Sequence, residues 1–141
     1  MKQNHSRTRS CGVLICLAML GVTWNVRAAD LSGEWVGTFS YDAEEERAGV
    51  RFSIVLVQDG DNVTGTFKEP RSDFGPEDQT TLTSKITGRI DPNTGQIAMI
   101  KKYDYDGHLV VYWGKISKGK IVGRWMIDTY SGTFELHRTK K

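Results

Sequence analysis

From residue 29 onward the sequence has no cysteine and only two histidines, His108 and His137. The missing thiols exclude a disulfide framework and any thiolate metal site, so the fold has to be held by burial alone. His108 and His137 fall on opposite phases of the strand alternation described below, and a metal centre wants three or four convergent ligands. No metal and no cofactor are expected. Asp104-Tyr105-Asp106-Gly107 has the opening spacing of a calcium loop but lacks the later glutamate, and reads as a hairpin turn. There is no Gly-x-Ser-x-Gly elbow, phosphate loop or catalytic cysteine, so no catalytic residue is assigned. No apolar stretch approaches the ~20 residues of a membrane-spanning helix.

The longest apolar run, over 11–22, follows Lys2, Arg7 and Arg9 and precedes Val26-Arg27-Ala28, the layout of a secretory signal peptide cleaved after Ala28. Both cysteines lie inside it. The expectation is therefore a secreted or periplasmic protein: a signal peptide over 1–28, a single domain over 29–141, and no stable membrane insertion of the mature chain. Without Lys2, Arg7, Arg9 and Arg27 the 19 basic residues fall to 15 against 17 acidic ones, a net charge of −2. That balance gives no ground for nucleic-acid binding.

Beyond residue 30, apolar and polar residues alternate at period two between Gly, Asn and Asp turns, and no helical period lasts three turns. Eight strands are predicted, over 31–41, 50–58, 62–69, 81–90, 96–103, 108–117, 120–128 and 132–138. Links as short as Lys118-Gly119 join consecutive strands as antiparallel neighbours. An even-numbered meander can pair its first strand with its last. The predicted fold is all-β: an eight-stranded antiparallel up-and-down barrel.

Residues two apart share a face. The inward phase collects Trp35, Phe39, Phe52, Ile54, Leu56, Val63, Phe67, Leu82, Ile86, Ile97, Met99, Val110, Ile121, Trp125, Ile127, Phe134 and Leu136. Glycines in the same phase, Gly65, Gly88, Gly114 and Gly123 among them, are expected to let strands bend and make room for facing rings. Outward apolar residues, Val55, Val57, Ile100, Val111, Trp113 and Met126, are expected to be surface scatter rather than a partner surface.

Strand direction also sorts residues by end. Gly33, Trp35 and Arg138 fall at one end, the floor; the links 42–49 and 70–80 fall at the other, the rim. The inward polar residues Tyr41, Glu69, Ser84, Lys101, Tyr103, His108 and Tyr112 gather toward the rim. Either Glu69 and Lys101 pair there to cap the core, or the group holds a polar or anionic end of a small molecule. Docking of a protein through the 42–49 and 70–80 loops, as a binding or inhibitor module, is the alternative. An acid–base enzyme built on Tyr103, His108, Glu69 and Lys101 comes third.

Gly33-Glu34-Trp35 on the first strand and Arg138 on the last resemble the calycin superfamily of lipocalins, fatty-acid-binding proteins and avidins. The resemblance implies that Trp35 packs near Arg138 and that the arginine satisfies backbone carbonyls at the closed end. DGDNVTGTF (59–67) and ITGRID (86–91) are similar to the second hairpin and following strand of avidins. Val36 and Gly37 stand where an avidin offers polar contacts to biotin, and no late aspartate takes the ureido role. The resemblance does not extend to that ligand.

Overall fold

The computed structural model describes residues 30–43, 49–71 and 75–139. The signal peptide expected over 1–28 lies outside the described residues, as do parts of both rim loops. Eight strands run in chain order: β1 (Gly33–Tyr41), β2 (Val50–Asp59), β3 (Asn62–Pro70), β4 (Thr81–Ile90), β5 (Gln96–Tyr103), β6 (Leu109–Ser117), β7 (Lys120–Ile127) and β8 (Tyr130–Arg138). Each pairs antiparallel with the next, and β1 pairs with β8 to close the barrel. Closure leaves no strand edge unpaired. This is the all-β, eight-stranded antiparallel up-and-down barrel that the alternation predicted.

The alternation that predicted the strands is visible in their burial. Phe52, Ile54 and Leu56 on β2 are buried between exposed neighbours, and the same period sets Ile97, Met99 and Lys101 inward on β5. Phe52 and Phe67 stack at 4.4 Å with 10° between their planes in the middle of the core.

Three strand starts depart from expectation. At the first, Gly33 has φ +124, which ends the ladder there, and Leu31 folds inward instead as a fully buried plug. His108 lies just outside β6, in the turn that Tyr103 N closes by donating to its carbonyl at 3.0 Å. β8 begins two residues early because Ile127 pairs with Tyr130 across a tight turn in which Asp128 has φ 47.

Closure depends on glycine at the β1–β8 seam. A Cβ at Gly37 would lie 1.9 Å from the Glu135 carbonyl oxygen, and one at Gly132 would lie 1.7 Å from that of Ser40. Rings are spared as expected, since a Cβ at Gly123 would meet the Phe134 ring at 2.8 Å and one at Gly132 the Trp125 Nε1 at 2.7 Å, but the backbone of the neighbouring strand lies nearer still.

The floor has the geometry that the resemblance implied. Arg138 is the cross-strand partner of Trp35, with its guanidinium 4.6 Å from the ring centroid. Arg138 Nη1 donates to the Ser32 carbonyl at 2.7 Å and Nη2 to that of Asp30. Trp35 Nε1 donates to the Leu31 carbonyl at 2.8 Å. The exposed ends of the plug are thereby satisfied, and the tryptophan is fully buried.

On the outer wall Ile100, Val111 and Met126 lie side by side in register across β5, β6 and β7, flanked by exposed Leu109, Trp113 and Val122. They form a contiguous apolar strip rather than scatter.

Candidate functional site at the rim

The inward polar residues come together as strand direction requires. Lys101, near the end of β5, and Glu69, near the end of β3, are 2% and 4% exposed, with Nζ 2.8 Å from Oε1. Lys101 also donates to the Tyr103 hydroxyl at 2.9 Å. Ring faces complete the cage: Nζ is 4.3 Å from the Phe67 centroid, 4.2 Å from that of Tyr103 and 5.9 Å from that of Tyr112. Such faces attract a cation most where water is excluded. Burial pushes the Lys101 ammonium toward losing its proton, and the Glu69 carboxylate opposes this. The Tyr103 and Tyr112 phenols are held protonated far above their ordinary range, first by burial and then by repulsion from Glu69.

Above this pair the barrel opens into a cavity of about 260 Å3. Its inner end is formed by Phe39, Lys101, Tyr112 and Trp125, and its upper wall by Tyr41, Tyr103 and Val110. The aromatic walls brace one another. Tyr41 meets Trp125 edge-on at 4.9 Å, Phe39 meets it at 5.6 Å, and Trp125 Nε1 donates to the Ser40 carbonyl at 3.2 Å. Arg124 and Ser131 both donate to Asp42 Oδ2, tying the upper end of β1 to β7 and β8.

Of the seven polar residues singled out from the sequence, Tyr41, Lys101, Tyr103, His108 and Tyr112 line the cavity. Glu69 and Ser84 do not. Glu69 stands behind Lys101, so the acid–base set of Tyr103, His108, Glu69 and Lys101 does not surround one space. Ser84 is fully buried between Phe67 and Tyr103, and its hydroxyl has no hydrogen-bond partner.

His108 requires a correction. Its side chain is 57% exposed at the mouth rather than turned into the barrel, because it belongs to the turn and not to the β6 ladder. Its Nδ1 lies 2.7 Å from Asp106 Oδ2, and its backbone N–H donates to Asp106 Oδ1 at 2.9 Å. Hydrogen bonding to Asp106 raises the pKa of the imidazole. Asp106 is thus engaged as a turn residue, and the 104–107 segment is a hairpin. Among the described residues no group of three or more His, Cys, Asp or Glu converges on a possible metal position.

Sequence reasoning missed Tyr105, Asp106, Asp128 and Tyr130, which ring the mouth. All four lie in or beside turns, where period two no longer reports direction. Their clustering at the ends of β5, β7 and β8 was the one available signal. Phe39, Val110, Trp125 and Ile127 were expected inward, as core rather than as cavity wall. Two larger clefts, about 840 and 880 Å3, run over the outer wall near Arg89 and Arg124 and near Arg51 and Glu135. They are open grooves among solvent-facing side chains, and the recessed rim cavity is the better site.

No protein-family model and no curated protein matches the chain. Among solved structures it is similar to two mutants of the fluorescent protein UnaG, at 15% and 14% identity with TM-scores of 0.46 and 0.43. Each match covers 79% of this chain and 97% of the other. At that distance neither says what this cavity holds.

Proposed function

We propose that the protein binds a small, flat, unsaturated molecule in the rim cavity, with one polar end toward Lys101 and Tyr103. The observation that carries this reading is a recessed space of about 260 Å3, open at the rim and walled by aromatic rings, with a buried ammonium at its inner end. A dry cavity of about 150 Å3 takes up benzene, so this one has room for a mono- or bicyclic compound. Ring faces supply apolar contact, and the polar groups set orientation.

Lys101 and His108 each already face a carboxylate, Glu69 and Asp106. Of the polar or anionic ends expected from the sequence, this favours a neutral carbonyl or hydroxyl. The signal-peptide pattern of residues 1–28 supports action in the periplasm or outside the cell.

Titration calorimetry with 2-naphthol tests the reading. One-to-one binding is expected for the wild type and none for Val110→Phe, whose ring would fill the space, with circular dichroism confirming that the variant is folded. Wild-type protein that neither binds 2-naphthol nor carries any co-purifying compound in native mass spectrometry would overturn it.

A further inference from the structure

We propose that Lys101 captures an aromatic or conjugated aldehyde in the rim cavity as a reversible imine, with Glu69 as the counter-ion of the protonated adduct. The inference rests on the binding reading above and names the substrate class of the same site. Four observations support it.

First, Lys101 is the amine of the cavity wall and lies at its inner end, where a ligand's polar end would arrive. Second, two of its three N–H donors are engaged, by Glu69 Oε1 and the Tyr103 hydroxyl, and its remaining close neighbours are ring faces, which do not compete for the nitrogen. Third, its burial weakens the hold on the proton that must leave before nitrogen can attack, as in other lysines that form Schiff bases. Fourth, the same carboxylate and rings that stabilise an ammonium would stabilise an iminium at that atom.

The chemistry balances within this pair. Glu69 accepts one proton from the ammonium, and the freed nitrogen lone pair attacks the carbonyl carbon to form the N–C bond of a carbinolamine. A second nitrogen proton moves to the former carbonyl oxygen. That oxygen then departs as water as the C–O bond breaks, taking a proton from the cavity-lining Tyr103 hydroxyl, which regains one from Glu69 through the hydrogen bond between them. Ammonium, carboxylate and aldehyde have become iminium, carboxylate and water, with no oxidant, reductant or net proton change. The enclosing rings limit access of water to the C=N bond and so slow its hydrolysis.

The test uses equimolar 2-naphthaldehyde followed by borohydride, with intact mass spectrometry and peptide mapping. A single naphthylmethyl adduct on Lys101 is expected, and its loss in the Lys101→Met, Glu69→Gln double variant, which removes both charges together. Glu69→Gln alone, compared under conditions where circular dichroism shows it folded, is expected to form the adduct more slowly. Adducts distributed over exposed lysines such as Lys68, Lys85 and Lys102, or no adduct, while 2-naphthol still binds, would overturn the imine and leave the binding reading standing. Absence of the adduct together with failure of 2-naphthol and no co-purifying compound in native mass spectrometry would overturn both.

Discussion

Lys101 and Glu69 meet at 2.8 Å although they stand on β5 and β3, with β4 between them. Two strand spacings amount to roughly 10 Å, so each side chain has to extend over β4. The inward residue at that crossing is Ser84, small enough to be passed over. A buried pair of this kind is a weak source of net stability but costly to break singly.

That asymmetry gives the first prediction. Lys101→Met or Glu69→Gln alone is expected to cost about 3–5 kcal/mol, since each strands a buried partner, while the double variant is expected to lie near or above the wild type. Urea unfolding of all four proteins as a double-mutant cycle measures this. Equal and additive losses would show that the pair is not coupled.

Ser84 is expected to behave in the opposite sense. Its hydroxyl is buried without a partner, so Ser84→Ala should stabilise the barrel by about 1 kcal/mol, the lower part of the cost of burying an unsatisfied polar group. Ser84→Leu should destabilise it by obstructing the Lys101–Glu69 crossing. A higher Tm for alanine and a lower one for leucine is the expected order.

The phenols set an alkaline limit. Tyr103 and Tyr112 have folded pKa values raised above the unfolded value of 10.0. The stability tied to them is whole below pH 10.0 and declines as pH rises beyond it, because the unfolded chain then holds fewer protons than the folded one. In an ultraviolet titration of the five tyrosines, two should ionise only as the protein unfolds. Their ionisation while the circular dichroism of the fold persists would contradict this.

At the mouth, His108 should titrate above its ordinary value of 6.5 because of its hydrogen bond to Asp106. The contribution of that pair is present below 6.5 and lost as pH rises through the folded value. Proton NMR of the imidazole should show a shift toward the ordinary value in Asp106→Asn. An unchanged midpoint would mean that the contact does not persist in solution.

The floor should be separable from the rim. Trp35→Ala is expected to cost about 3–5 kcal/mol as a core deletion, and Arg138→Met about 1–3 kcal/mol through its two carbonyl bonds. Neither should change the affinity of folded protein for 2-naphthol, because both residues lie at the opposite end of the barrel. A loss below about 1 kcal/mol for Trp35→Ala would contradict the core assignment.

Period two alone settled which residues face inward, because a strand has only two sides and burial selects between them. It put Trp35, Phe67, Lys101 and Tyr112 on one face, and strand direction then put the polar ones at one end. Turns escape that logic. His108 was assigned by parity to a strand that starts one residue later, and Tyr105, Asp106, Asp128 and Tyr130 had no parity to read.

Closure decided the rest, because cross-barrel and cross-strand distances depend on register and curvature that no local pattern encodes. Only the folded chain shows Lys101 reaching over Ser84 to Glu69, Tyr41, Lys101, Tyr103 and Tyr112 facing a shared cavity with His108 at its mouth, and Ile100, Val111 and Met126 aligned outside. Alternation along the chain is a property of sequence neighbours, whereas Glu69 meets Lys101 across β4 and Tyr41 meets Trp125 across the β1–β8 seam only in the folded sheet.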